Sequence, residues 1–211
     1  FCMTADKERP CTSFAVTSAK PSEGKSLTAA NIAISYAMLG KRVLLIDADM
    51  RKPTQRRLWR VEKPTGLCDF LAKISKLELD KVKDLPLWIV CTGTIPPNPS
   101  ELLSSERMKH FVEESAKVYD YIIIDTPPIN TVADAQIVST YVDGVVLVVK
   151  SGDTTQDELN EAIDAVRRAG GNLCGTVLND LNMKSVKYAY KYKYGGKYGY
   201  KYSYSESYEA R

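Results

Sequence analysis

The chain has 211 residues, of which 44% are hydrophobic and 26% are charged, and its formal net charge is +3. This length accommodates one α/β domain with a tail and excludes two full domains. Five cysteines without a Cys-x-x-Cys pair argue against a disulfide framework or a zinc site, so we expect a cytoplasmic protein. No run of 18 apolar residues and no signal peptide is present. Because the chain begins with Phe1, we expect it to be part of a longer polypeptide.

Short apolar runs alternate with helical patterns along the first 180 residues, which is typical of βαβ units. The predicted strands are 14–17, 43–46, 87–90, 121–124, 145–149 and 176–178. The predicted helices are 25–39, 65–73, 104–117, 134–140 and 156–169, and the prolines at 96, 97 and 99 predict a surface loop. Several strands are continuously apolar, as in sheets covered on both faces. The pattern predicts an α/β fold with a doubly wound parallel sheet flanked by helices.

A phosphate-binding loop follows the first predicted strand and leads into the first helix. Its sequence is Ala19-Lys20-Pro21-Ser22-Glu23-Gly24-Lys25-Ser26, and with Leu27 it forms the predicted ATP site. Backbone N–H groups at a helix N-terminus bind phosphate, a loop lysine reaches the β- and γ-phosphates, and the following hydroxyl binds Mg²⁺. Alanine at position 19 replaces the usual first glycine. The strand–loop–helix context predicts the P-loop NTPase fold.

Three aspartates end predicted strands. Asp47 and Asp49 follow the second strand, and Asp125 ends the apolar run at 122–124. Residues i and i+2 of an extended chain point the same way, and ligands lie at the carboxyl ends of parallel strands. We therefore predict that Asp47 and Asp49 both face a Mg²⁺ ion and the γ-phosphate, and that Ser26 and Asp125 are associated with the same ion. The alternative is that these aspartates are solvated strand ends or turns.

Two further side chains each allow two interpretations. Lys20 lies five residues before Lys25. It either reaches the phosphates of a neighbouring subunit, as in a variant P-loop class, or is an exposed loop lysine. Asn179 ends the last predicted strand and either hydrogen-bonds adenine or forms a turn with Asp180.

The C-terminal segment is rich in tyrosine and lysine. Nine tyrosines lie among the last 24 residues: Tyr188, Tyr190, Tyr192, Tyr194, Tyr198, Tyr200, Tyr202, Tyr204 and Tyr208. From residue 184 onward, seven basic and two acidic residues give a charge of +5. We predict a P-loop domain at residues 1–183 and a disordered tail at 184–211. Exposed phenols beside a phosphate-binding core suggest that the tail is the substrate.

These motifs together resemble the bacterial tyrosine kinases of capsule and exopolysaccharide synthesis. The resemblance runs from about Phe14 to the C-terminus and rests on residues 19–26, 47–51, 96–103 and 125–128 and on the tyrosine cluster. Partitioning and division-site ATPases share the P-loop class but lack that cluster. Arg51, which follows the second aspartate by two residues, also favours the kinase branch.

The resemblance implies a Mg·ATP-dependent autokinase in which the tail of one subunit enters the site of the next. The implied catalytic residues are Lys25, Asp47, Asp49, Asp125 and Arg51. In the implied arrangement Ser26, Asp49 and Asp125 hold Mg²⁺, and Asp47 accepts or orients the phenolic proton. The implied partners are further copies of the chain, with a ring as one candidate assembly, a transmembrane activator of the polysaccharide co-polymerase type and a cognate tyrosine phosphatase. The implied location is the inner face of the plasma membrane. The family's Glu-x-x-Arg-x-x-Arg segment, used in ring assembly, has no counterpart before the first strand.

Two alternatives to the kinase are open. A switch ATPase of the partitioning or division-site type explains the phosphate motifs but gives the tyrosines no role. A tail that stacks on bases would bind single-stranded nucleic acid, although we expect no specific nucleic-acid partner. For the kinase, each phosphotyrosine adds a charge of about −1.5 to −2. We expect phosphorylation to release the tail from acidic side chains of a neighbouring copy.

Overall fold

The computed structural model of the chain describes residues 12–181, which form one sheet with helices on both faces. The strands within this range are β1 (Ser13–Ser18), β2 (Val43–Asp47), β3 (Asp80–Lys81), β4 (Leu87–Val90), β5 (Tyr121–Asp125), β6 (Gly144–Lys150) and β7 (Leu173–Asn179). Their order is β3-β4-β2-β5-β1-β6-β7. Every neighbouring pair is parallel except β3 with β4.

The helices alternate with the strands along the chain. Within the described range they are α1 (Lys25–Met38), α2 (Gln55–Trp59), α3 (Leu67–Leu71), α4 (Pro99–Ser104), α5 (Glu106–Ala116), α6 (Asp134–Ser139) and α7 (Gln156–Arg168). None of these helices is both long and apolar enough to cross a membrane.

Two hydrophobic cores lie on opposite faces of the sheet. Along β2, Val43 and Leu45 pack with the alanines of α1, whereas Leu44 and Ile46 pack with the core that includes α5, α6 and α7. Successive side chains of a strand point to opposite faces, so an unbroken apolar run fills both cores. The predicted doubly wound sheet is confirmed, with one antiparallel edge strand in addition.

Three short elements differ from the sequence-based expectation. The helix α2 and the strand β3 fall in segments for which no element is predicted. The prolines predict a loop, but α4 begins at Pro99, because proline suits the first turn of a helix, where its missing N–H has no partner to lose. The predicted helix 65–73 is shortened to α3. The predicted helix 104–117 corresponds to α5, which begins two residues later, at Glu106, because the Ser105 hydroxyl caps it.

The remaining helices agree with prediction to within one residue at each end. At the start of α7, Thr155 and Glu158 form the predicted capping box, with each side chain bonded to the other residue's backbone N–H. The predicted domain boundary at 183/184, the disordered tail and the nine tyrosines lie outside the described residues.

Candidate active site

The loop between β1 and α1 is shaped by a glycine with left-handed backbone conformation. Gly24 has φ +91°, which strains any residue with a Cβ. A Cβ at this position would also lie 2.1 Å from Nδ2 of Asn179. Asn179 comes this close because its Nδ2 donates a hydrogen bond to the Glu23 carbonyl, at 2.9 Å. The end of β7 therefore supports the loop backbone, and a contact of Asn179 with adenine stays a prediction.

Four of the five predicted catalytic residues converge at the carboxyl edge of the sheet. Asp47 and Asp125 lie side by side because β2 and β5 are parallel neighbours that pair these two residues in register. Nζ of Lys25 lies 2.7 Å from Oδ2 of Asp49 and 3.5 Å from Oδ1 of Asp125. It also donates to the Ser26 hydroxyl, at 3.1 Å. We call Asp47, Asp49 and Asp125 the carboxylate cluster; Lys25 is the cation that balances it.

Burial and mutual repulsion set the protonation of these groups. Burial, followed by repulsion from Asp125, raises the pKa of Asp47 to about 8. Burial also raises the pKa of Asp125, against the attraction of Lys25. Burial alone would lower the pKa of Lys25, but Asp125 and Asp49 outweigh it and the pKa is raised. Lys25 therefore remains charged, and Asp47 is a stronger base than an ordinary carboxylate.

The residues at this edge fit a bound Mg²⁺ ion. Oδ1 of Asp47 and Oδ1 of Asp125 are buried and accept no hydrogen bond from the described residues. Mg²⁺ prefers oxygen ligands, and P-loop proteins supply a hydroxyl and a strand-end carboxylate. Ser26, Asp49 and Asp125 would hold the ion, which when bound neutralises charge on the phosphates of ATP.

Gln55, which the sequence analysis does not single out, connects the parts of this site. It is fully buried at the start of α2. Its Nε2 donates both to Oδ2 of Asp125 and to the Ser26 carbonyl, each at 2.9 Å. Its backbone N–H donates to Oδ2 of Asp47, also at 2.9 Å. Gln55 therefore orients Asp125 through its side chain and Asp47 through its backbone.

Arg51 points to a different partner from the one expected of a catalytic arginine. Its Nε and Nη2 donate to the two carboxylate oxygens of Asp134, at 2.8 and 3.1 Å. Asp134 is fully buried at the start of α6 and also accepts from the Ser100 hydroxyl of α4, at 2.6 Å. In this structure Arg51 therefore fastens the segment after β2 to α4 and α6. A direct role in phosphate transfer stays a prediction.

Lys20 is paired within its own chain. Its Nζ donates to the Asp153 carbonyl at 2.9 Å and lies 3.2 Å from Oε2 of Glu158, at the start of α7. The predicted reach of Lys20 to a neighbouring subunit would require these contacts to open.

A cleft of about 500 Å³ leads from the loop to the solvent. Among the predicted residues, those that line it are Pro21, Ser22, Gly24, Lys25, Ser26, Leu27, Asp49 and Arg51. Ala19 does not reach the cleft surface because it is fully buried in the core. At the cleft mouth, Leu27 is 54% and Leu58 is 41% exposed, and Lys52 and Arg57 lie beside them. The exposed part of the cleft is thus apolar and basic. Asp47 and Asp125 are fully buried and do not line it.

Comparisons with known proteins identify the family of this chain. A family model described as an AAA domain matches residues 12–173. Tyrosine-protein kinase YwqD of Bacillus subtilis (strain 168) is 43% identical over 189 residues, covering 88% of this chain and 80% of that protein. The kinase domain of the Escherichia coli tyrosine kinase ETK is 31% identical, with a TM-score of 0.80 over 92% of this chain and 73% of its own. The chimerical protein CapA2B2 is 37% identical, with a TM-score of 0.78 over 82% of this chain and 77% of its own. The chain therefore belongs to the bacterial tyrosine-protein kinases, with an AAA domain as its P-loop core.

Proposed function

We propose that this tyrosine kinase uses Mg·ATP to phosphorylate its own C-terminal tyrosine cluster, with the tail of one copy entering the cleft of another. The observation that carries the proposal is that Lys25, Ser26 and Asp49 line a cleft beside exposed leucines. Within this site Lys25 contacts both Asp49 and the buried Asp125. Tyrosine has a flat apolar ring with a polar tip, so it suits a cleft that is apolar outside and polar inside.

Each residue of the site has a role in the proposed reaction. The loop backbone and Lys25 bind the phosphates of ATP, and Ser26, Asp49 and Asp125 hold Mg²⁺. A free phenol has a pKa of about 10, so little phenolate exists at neutral pH. Because the pKa of Asp47 is raised to about 8, its ionised form is proposed to accept the phenolic proton, and its protonated form, which predominates below pH 8, to orient the phenol. Positioning and charge neutralisation provide most of the rate enhancement, as in other phosphoryl transfers.

The adenine of ATP is proposed to lie near Asn179, which borders a second cavity of about 470 Å³ beside α1. The largely apolar lining of that cavity, to which Ile32 and Val177 contribute, suits a purine base.

The biological setting proposed is the control of capsular or exopolysaccharide synthesis and export at the inner face of the plasma membrane. The resemblance of the motifs supports this setting. The proposed partners are other copies of the chain, in a ring or a smaller assembly, a transmembrane activator and a phosphatase that reverses the modification.

A switch ATPase remains the second candidate because the phosphate site alone would serve it equally well. The two functions differ in where the γ-phosphate goes: to protein in a kinase, and to water in a switch ATPase.

The test is to incubate the chain with Mg·ATP and to map phosphate by intact mass and peptide fragmentation. A Lys25→Met variant and a deletion from Lys187 serve as controls. We expect several phosphates confined to residues 188–208 and none in Lys25→Met. Release of free phosphate with an unmodified chain would overturn the proposal in favour of the switch ATPase.

A further inference from the structure

A row of exposed basic side chains lies directly after the carboxylate cluster in the sequence. We call Lys52, Arg56, Arg57 and Arg60, on α2 and its flanks, the cationic strip; all four are exposed. Among the described residues, no carboxylate forms an ion pair with any of them. By contrast, neighbouring Arg51 and Lys63 are both paired. Unpaired like charges repel one another, so an external anion stabilises this strip more than it stabilises cations that are already paired.

A cavity of about 410 Å³ opens beside the strip, and we call it the arginine cavity. Its lining residues are Pro53, Arg56, Arg57, Val61, Thr92, Gly93 and Ile95. Arg56 is held in place because its Nε donates to the Val61 carbonyl at 3.2 Å and its Nη2 to the Glu62 carbonyl at 3.1 Å. Ile95 is 59% exposed and provides an apolar wall. A prearranged guanidinium beside an apolar wall fits a phosphate carried on a flat apolar ring.

The arginine cavity adjoins the cleft of the active site. Arg57 lines both spaces, so a ligand in the arginine cavity lies next to the mouth of the cleft. Eight tail tyrosines occur two residues apart, in the runs 188–194 and 198–204. In an extended segment two residues span about 7 Å and their side chains point the same way. A phosphotyrosine held in the cavity therefore places the next tyrosine of its run near the cleft.

We propose that the arginine cavity binds a phosphotyrosine on the tail of a second copy of the chain and thereby presents the neighbouring tyrosine for phosphorylation. This inference rests on the proposed function, because the kinase itself makes the ligand. No bond is made or broken in the arginine cavity. The first phosphate then speeds the second, and phosphorylation draws the tail to the mouth of the cleft. Phosphorylation would thus bind the tail to the second copy, whereas the change of tail charge from positive to negative would by itself release it from acidic side chains.

The charges of the tail also predict the order in which its tyrosines are phosphorylated. Residues 184–197 carry five lysines and no acidic residue, so the cationic strip repels them. Residues 198–211 are neutral, because Lys201 and Arg211 are balanced by Glu206 and Glu209. The first phosphates are therefore expected on the tyrosines from 198 to 208, and later ones towards residue 188.

The binding test uses the full chain without ATP and three peptides of residues 198–208. One peptide is unmodified, one carries phosphotyrosine at Tyr202 and one carries phosphoserine at Ser203. We expect the phosphotyrosine peptide to bind about tenfold more tightly than either of the others by fluorescence anisotropy. Arg56→Gln removes a charged group that donates hydrogen bonds to phosphate, and Ile95→Asp places a negative charge in the exposed apolar wall. Each change should abolish the tighter binding of the phosphotyrosine peptide. Arg168→Gln, which removes an exposed charge at the end of α7, should retain it.

Equal affinity for the three peptides, or the same loss in Arg168→Gln, would overturn the proposal. So would displacement of the phosphotyrosine peptide by inorganic phosphate at the peptide's own concentration, since the ring would then contribute nothing.

A second measurement follows phosphorylation of the full chain with time by intact mass. In the unaltered chain we expect multiply phosphorylated species to appear while unmodified chain remains. In Arg56→Gln the first phosphate should be added at the normal rate and the later ones more slowly. Normal phosphorylation without binding of the phosphotyrosine peptide would refute the cavity proposal and leave the kinase intact. Binding without any phosphorylation would refute the kinase proposal alone.

Discussion

The carboxylate cluster and the cationic strip lie within a few residues of each other in the sequence but have opposite environments. The first is buried, and its charges are balanced by Lys25 and oriented by Gln55. The second is exposed, and no described carboxylate balances it. Buried charges must be paired because desolvation is costly, whereas exposed charges are stabilised by water. The difference indicates that the cluster is built for a fixed geometry and the strip for an exchangeable ligand.

The largest effect on stability is expected from Lys25→Met. This change leaves Asp49 and Asp125 buried without their cation, which should destabilise the fold by about 3–5 kcal/mol at neutral pH. The attraction of Lys25 opposes the rise in the pKa of Asp125, so its loss raises that pKa further, and the destabilisation should shrink as the pH falls and Asp125 takes up a proton. Urea denaturation at pH 7 and pH 4 measures both values. Lys20→Met, at a partly exposed ion pair, is the matched control and should cost much less than Lys25→Met, because solvent screens such a pair. Equal losses in the two variants would contradict the larger effect expected of the buried pair.

A smaller effect is expected from Gln55→Ala. It removes the donor to Asp125 and to the Ser26 carbonyl and leaves both acceptors buried. Unsatisfied buried polar groups cost about 1–3 kcal/mol, so we expect a loss in this range together with slower phosphorylation. Urea denaturation and initial phosphorylation rates measure the two consequences. Gln156→Ala, at the exposed start of α7, should change neither the stability nor the phosphorylation rate. If Gln55→Ala also changed neither, Gln55 would not be needed to orient the carboxylates.

The pH dependence of stability distinguishes Asp47 from an exposed carboxylate. Because the pKa of Asp47 is raised to about 8 in the folded chain, the folded state holds a proton that the unfolded state releases above about pH 4. The stability due to this proton is complete below pH 4 and is lost as the pH rises through 8. Relative to Asp47→Asn, the unaltered chain should therefore lose at least about 1 kcal/mol between pH 4 and pH 8. Thermal denaturation of both proteins without nucleotide, repeated from pH 4 to pH 8, gives the difference in stability. If the stability of both proteins changed equally with pH, the raised pKa of Asp47 would be contradicted.

The smallest effect is expected in the cationic strip. Replacing Lys52 and Arg60 by glutamine together should change the free energy of unfolding by no more than about 0.5 kcal/mol. The change should be stabilising, since it relieves repulsion, and should vanish at about 1 M salt. Urea midpoints at low and high salt test this expectation. Marked destabilisation would mean that the strip is structural.

Much of the fold and the centre of the site are predictable because the sequence patterns that specify them lie within short segments of the chain. Each main strand is an apolar run, and Asp47 and Asp125 end two of them. A glycine–lysine–serine sequence at a helix start identifies the loop without any tertiary information. Parallel pairing then brings the strand ends together, so the meeting of Lys25 with the carboxylates follows from the topology.

The parts that escape prediction depend on contacts between distant segments. Gln55 donates to a carboxylate 70 residues away, and Arg51 to one 83 residues away. Neither partner is visible in the local sequence. The helix α2 has only five residues, too few to show a periodic apolar pattern, and Gln55 at its start is buried by tertiary packing. A polar residue directly after Lys-Pro-Thr is the only local signal for Gln55, and it specifies no partner.

The antiparallel strand β3 limits how copies of this protein can assemble. It has two residues, Asp80 and Lys81, both charged, and it closes one edge of the sheet. Short charged edge strands give a second chain few backbone groups to pair with and oppose the aggregation that open edges invite. If copies met on that side, their contacts would be made by side chains, which salt weakens, because a continuous intersubunit sheet is disfavoured. An assembly of this kind can come apart and re-form without unfolding any subunit.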